Sequence, residues 1–211
     1  MADWATISSL ATAGGTLVLA CATFASVRSA NRTARTAERS LQVGLRPVLM
    51  PARLQDPPQK VGWVDNHWAR VDGGRAHAEV AGGSLYLALA LRNAGSGIAV
   101  LHGGRPSVAA PRADAPRPDL DEFRRLTRDL YVPAGDIGFW QIAYRDPSDD
   151  GDYSDLAAAV GARQPILVDI LYGDHEGGQR MITRFGVRPA EDGGWLCIAV
   201  RHWNLDRADP R

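Results

Sequence analysis

Hydrophobic positions follow two different periods along this chain, and the change of period falls near Pro47. Residues 4–27, WATISSLATAGGTLVLACATFASV, carry no charge and are followed at once by Arg28. As a helix rising 1.5 Å per residue they would extend about 36 Å, more than the ~30 Å hydrocarbon core of a bilayer. Seven Ser or Thr and two Gly dilute the run, but hydroxyls in a helix bond to a carbonyl one turn back, which lowers their cost in lipid. The pattern predicts one transmembrane span. From residue 28 to 43 no Pro or Gly interrupts, and Arg28, Arg32, Arg35 and Arg39 recur at steps of four, three and four. That spacing puts them on one helical face, with Ala30, Ala34, Ala37 and Leu41 opposite. A basic helical stalk is predicted over 28–43, stopped by Gly44, with Arg46-Pro47 forcing extended backbone.

After Pro47 the period becomes two. Residues 47–54 contain Pro51 and suit an edge strand. Residues 61–71 and 76–80 flank Asp72-Gly73-Gly74, a hairpin signal. The clearest strand is 84–92, where Leu85, Leu87, Leu89 and Leu91 take one face and Tyr86, Ala88, Ala90 and Arg92 the other; this alternation predicts a half-buried antiparallel strand. Asn93-Ala94-Gly95-Ser96-Gly97 reads as a turn in which glycines permit positive φ and Asn caps its own backbone. Strands follow at 98–101 and around 106–108, then a loop at 111–118. Residues 119–130 read as a short amphipathic helix with Leu120, Phe123, Leu126 and Leu130 inward. Strands at 131–133 and 137–144 and a helical turn or two at 152–160 come next. The last third is a meander of 166–172, 179–187 and 195–203, joined by Asp174-His175-Glu176-Gly177-Gly178 and Glu191-Asp192-Gly193-Gly194. The expected fold is mainly β: a long N-terminal helix over 1–44, then an antiparallel β-sandwich over 45–211 with one or two short inserted helices.

Charge sharpens this picture. The formal net charge of the 211 residues is zero, yet residues 28–46 hold five Arg and one Glu while the remainder to 211 is net acidic. Basic flanks stay in the cytoplasm, so the expected topology is a single-pass plasma-membrane protein with its N-terminus outside and its C-terminal domain cytoplasmic. Arg28, Arg32, Arg35 and Arg39 are candidate contacts for anionic lipid headgroups, although fixing topology and keeping the stalk soluble is the plainer role. The Ala/Leu stripe offers only a weak seam for a second copy through the stalk. A net acidic domain lacks the basic surplus that nucleic-acid binding requires. Only Lys60 among the 24 basic residues is lysine, which reads as a GC-rich coding bias rather than a functional signal. A cleaved signal peptide would need a basic segment where Asp3 stands. Val18-Leu19-Ala20-Cys21 resembles a lipobox with Cys21 as the lipidated residue, but the apolar run continues past it to Val27. Cys21 and Cys197 lie too far apart in role to pair.

Candidate chemistry is sparse. Gly95-x-Gly97 lacks the further glycine and the Gly-Lys-Ser/Thr of phosphate loops, so a structural turn is expected. Asp146-x-Ser148-x-Asp150-Gly151 opens like a calcium loop, but position 12 is Ala157 instead of a bidentate carboxylate; a solvated acidic loop is the plainer reading. His67, His77, His102, His175 and His202 show no ligand spacing, and Asp174-His175-Glu176 groups three ionisable residues at a hairpin tip, where polar residues are routine. No Gly-x-Ser-x-Gly or other nucleophile setting occurs. Trp63, Trp140, Trp195 and Trp203 are expected in core and edge packing. The sequence thus predicts no catalytic residue, no cofactor and no metal site.

An uncharged span with a basic stalk, Arg46-Pro47-Val48, the motif Leu-x-Asn-x-Gly-x-Gly-x-Ala from Leu91 to Ala99, and Tyr172-Gly173-Asp174 before a hairpin together resemble a group of small bacterial, actinobacterial-type single-span membrane proteins. The resemblance covers nearly the whole chain. It implies an immunoglobulin-like β-sandwich behind the anchor and supplies no catalytic residues. The function expected is a non-enzymatic, membrane-anchored interaction or scaffold module with a protein partner. The alternatives are a loop-built ligand or calcium sensor or enzyme, and an outward-facing adhesive or lipoprotein module.

Overall fold

The structure, a computed structural model, describes residues 3–109, 115–145 and 151–206. It divides into two compact units, residues 1–43 and 44–211. The first is the helix α1 (Trp4–Gly44, 41 residues), continuous through span and stalk and ended at Gly44 as its sequence predicts. Leu10, Leu17, Val18, Leu19, Phe24 and Leu41 on it are 67–73% exposed. Thr16 and Thr23 donate their hydroxyls to the carbonyls of Thr12 and Leu19, both at 2.8 Å. These two hydroxyls are thereby satisfied within the helix, as crossing lipid would demand.

The second unit is mainly β. In chain order its elements are β1 (Leu49–Pro51), β2 (Gln59–Gly62), β3 (Trp68–Val71), β4 (Arg75–Ala81), β5 (Ser84–Asn93), β6 (Ala99–Ser107), a 3-10 turn (Leu120–Glu122), β7 (Arg124–Val132), β8 (Ile137–Tyr144), α2 (Gly151–Gly161), β9 (Ile166–Gly173), β10 (Arg180–Pro189) and β11 (Trp195–Asn204). Nine strands form one antiparallel sheet in the order β1-β5-β4-β11-β10-β9-β6-β7, with β8 also paired to β5. The sheet curls until β7 and β8, joined by the turn Pro133 to Asp136, flank its two ends. Its inner face encloses one core, as the layers of a β-sandwich do. Leu85, Leu87, Leu89 and Leu91 of β5 meet Trp140, Ile170, Tyr172 and Phe185 there. Each fully buried side chain of this size stabilises the fold by about 1.5–3 kcal/mol. Helix α2 adds Tyr153, Leu156, Ala159 and Val160 from one face, and the Tyr153 hydroxyl donates to the Gly83 carbonyl at 2.7 Å.

Several expectations are corrected here. Residues 61–71 are two strands, because β2 and β3 pair with each other as a separate ribbon, Gln59 opposite Val71 and Gly62 opposite Trp68. Strand β5 is buried on both faces: the ribbon covers the side that carries Tyr86, Ala88 and Ala90, and Ala52, Val61, Trp63, Ala69 and Val71 complete this second core. The hairpin at Asp72-Gly73-Gly74 does not pair its flanks, since β4 pairs with β5 and β11. Residues 98–101 and 106–108 belong to one strand, β6. The helix expected over 119–130 is a single 3-10 turn followed by β7; Leu126 and Leu130, which suit a helical step of four, also suit a period of two, and pairing with β6 decides in favour of strand.

Asn93 organises the chain entry into this sheet. Its side chain donates to the carbonyls of Gly97 (2.6 Å) and Val132 (3.0 Å) and accepts from the backbone N–H groups of Val48 (3.1 Å) and Gly95 (3.0 Å). Gly95 and Gly97 are required here by close approach and not by positive φ: a Cβ would stand 2.3 Å from the Arg46 carbonyl oxygen and 1.7 Å from that of Leu45. The Asn-x-Gly-x-Gly motif is thus a structural clamp on residues 45–48.

Candidate metal centre

Strand register puts His77 opposite Ala88 and Glu79 opposite Tyr86 in the β4–β5 pair. Cross-strand partners share a face, and side chains two apart on one strand share it too. His77, Glu79, Tyr86 and Ala88 therefore all point toward the β2–β3 ribbon. The loop of that ribbon is closed by the Trp63 N–H donating to the His67 carbonyl at 2.9 Å, with Asn66 at φ 62. This is a three-residue hairpin loop ending in a left-handed residue, a conformation Asn tolerates. It places His67 over Tyr86, ring centroids 3.9 Å apart and nearly parallel at 12°.

Two imidazoles thus converge on one carboxylate. His67 Nε2 and His77 Nε2 each lie 3.2 Å from Glu79 Oε2, and the donor atoms of the three residues fall within 4.8 Å of one another. Among the described residues this is the one such group of three. Both nitrogens are closed off from solvent, and neither has an aligned hydrogen-bond partner. Burial pushes His77 below the ordinary histidine value; the Glu79 carboxylate pulls it back up and His67 pushes it further down. Trp63 closes the side, 5.4 Å from His67 and 5.9 Å from His77 by ring centroid, with its Nε1 fixed to the Ile142 carbonyl at 3.2 Å.

An outer layer holds the loop. The Tyr86 hydroxyl donates to Asp65 Oδ2 at 2.6 Å, and Arg145 Nε donates to the same oxygen at 3.1 Å. The tyrosine hydrogen bond is the main reason the Asp65 carboxyl is held below its usual range, and desolvation opposes it. On the other side, His77 and Glu79 line an open trough with Asp72, Arg75, Asp192 and Trp195. Solutes can reach the exposed Glu79 carboxylate from there.

The positions singled out by sequence fare differently. Arg28, Arg32 and Arg35 are exposed on α1; Arg39 lies on the same helix, but its side chain is outside the described residues. Positions 146–150 of the calcium-like loop are also outside them. At the 174–178 hairpin, Asp174 accepts from the Gly178 N–H at 2.8 Å and from Gln179 Nε2 at 3.3 Å, so it caps the turn, and His175 lies 3.2 Å from its neighbour Glu176. The four tryptophans are at most 6% exposed, as expected for packing. Chain spacing does not reveal the cluster, because His67 and His77 are not near one another in the sequence. The available signal was His77-x-Glu79 on a strand, which places both side chains on one face. The most buried charge elsewhere, Asp169, is closed in a pair with Arg184 at 2.7 and 2.9 Å and with Arg105 at 3.2 Å, and serves packing. Comparison with known proteins finds no matching family model, no matching curated protein and no matching solved structure.

Proposed function

We propose that this protein is a membrane-anchored interaction module: α1 crosses the bilayer over about residues 4–27, and an immunoglobulin-like β-domain is held at the cytoplasmic surface to engage a protein partner. The observation that carries the reading is the apolar part of α1. Within 12–38 it has a stretch of mean hydropathy 1.2, long and apolar enough to cross a membrane, and no part of that stretch is buried. Apolar side chains exposed on all sides of a helix call for a lipid solvent. The arginine excess after the span supports the inward orientation. Arg28, Arg32 and Arg35 on the stalk would each add about 1 kcal/mol of attraction to an anionic leaflet.

Paired C-terminal reporters test this, one active only in the cytoplasm and one active only outside it, read together with extraction of the membrane fraction at alkaline pH. Cytoplasmic activity in a fraction that resists extraction is the expected result. Activity only outside would reverse the topology and turn attention to lipidation at Cys21, and release by alkali would remove the anchor altogether.

A further inference from the structure

We propose that His67, His77 and Glu79 bind a divalent transition-metal ion, with zinc as the fitting probe, in a three-ligand site whose remaining coordination positions open to the trough beside Trp195. The inference stands apart from the membrane reading, because it rests on the β-domain alone.

Three features of the geometry support it. Two imidazoles and one carboxylate form the donor set of open zinc sites, and imidazole nitrogen is a common ligand of zinc, iron, nickel and copper. A metal about 2.0–2.2 Å from each donor separates neighbouring donors by about 3.0–3.5 Å in tetrahedral or octahedral arrangements. Both histidine nitrogens stand at 3.2 Å from Glu79 Oε2, within that interval, while the three donor atoms as a set span up to 4.8 Å, so the imidazoles must close slightly on binding. Both Nε2 atoms are also buried without an aligned hydrogen-bond partner, so a metal ion between them and Glu79 would satisfy all three groups.

The surroundings are built to hold this arrangement. His67 cannot swing freely, because it stacks on Tyr86 and lies against Trp63. Its loop is tied by Asp65 to Tyr86 and Arg145. His77 and Glu79 sit in the middle of a paired strand, where backbone hydrogen bonds on β5 fix their direction. Rigid supports of this kind raise metal affinity because little order remains to be imposed on binding. The ligands come from two elements brought together only by folding, so metal binding should also stabilise the fold by linkage.

The test is a calorimetric titration of Zn2+ into the metal-stripped full chain in lipid nanodiscs, without an affinity tag. One zinc per chain at micromolar affinity or tighter is expected, together with a rise in Tm. Glu79→Gln and His77→Ala should each weaken binding by more than the roughly 10–100-fold that outer-layer partners carry, while His175→Ala, at the other histidine–glutamate contact, leaves it unchanged. Glu79→Gln keeps the side-chain shape, so it decides the matter even if His77→Ala does not fold; circular dichroism confirms the fold of each variant. No saturable binding, or stoichiometric binding that survives Glu79→Gln, would overturn the proposal. So would loss of binding in His175→Ala alone, which would mark an adventitious surface contact.

Discussion

Two hairpins of this protein bring a histidine to 3.2 Å from a glutamate, and they are not equivalent. At 174–178 the partners are chain neighbours, His175 and Glu176, with side chains 39% and 64% exposed. The third ionisable group, Asp174, is buried but turned to its own loop, where it holds the Gly178 N–H. At 63–67 the loop carries one histidine only, and the other two donors come from β4 beneath it. Their burial is shared with Trp63 and Tyr86, which belong to a second hydrophobic core. Adjacency along the chain produces a polar tip. Convergence of two elements over an apolar floor produces a cluster whose two imidazole nitrogens are closed off from water while its carboxylate stays open to the trough.

The largest difference between the two hairpins should appear in zinc affinity: Glu79→Gln lowers it beyond roughly 100-fold, and substitutions at 174–176 leave it unchanged. Stability should show the reverse. Asp174→Ala removes a buried acceptor and leaves the Gly178 N–H without its partner, which costs about 1–3 kcal/mol in chemical denaturation at unchanged zinc affinity. Smaller again is Tyr86→Phe. It keeps the ring stacked on His67 and removes only the hydroxyl held by Asp65, so zinc affinity should fall by about tenfold or less with Tm of the metal-free protein little changed. The smallest effect belongs to His102, which has no second imidazole beside it. Burial pushes it below its ordinary value, with Asp129 opposing and Arg180 adding to the shift. The unfolded chain therefore takes up the proton first, and stability is lost only as pH falls below about 6.5. His102→Gln should flatten the stability profile between about pH 7 and pH 5 and leave it unchanged above that range.

Much of the fold was legible because periodicity reports which faces are apolar. The long helix, its stop at Gly44, β8, α2 and the final meander all follow from patterns of period 3.6 or 2. The failures have a common cause in pairing between distant segments. Leu126 and Leu130 satisfy both periods, and only β6 lying alongside makes them a strand. Tyr86, Ala88 and Ala90 read as a solvated face because small and amphipathic residues do not announce a cover, and the ribbon that buries them is supplied from 59–71. The glycines of Asn93-x-Gly-x-Gly were rightly read as structural, but their reason, the passage of residues 45–48 against them, lies in tertiary contact. The candidate metal centre was invisible on the same ground. His67 and His77 are ten residues apart with strand β3 and one turn between them, and no linear spacing expresses that they meet.

The most direct measurement is an X-ray absorption spectrum at the zinc edge of the loaded full chain. Two imidazole rings at about 2.0–2.1 Å are expected, with the remaining donors oxygen. Sulfur should be missing from the first shell, because the Cys197 thiol is only 5% exposed and pushed up to about 12 by burial, and Cys21 belongs to the apolar run of α1. A sulfur shell near about 2.3 Å, or a shell of oxygen alone, would contradict the assignment of His67, His77 and Glu79 as the ligands.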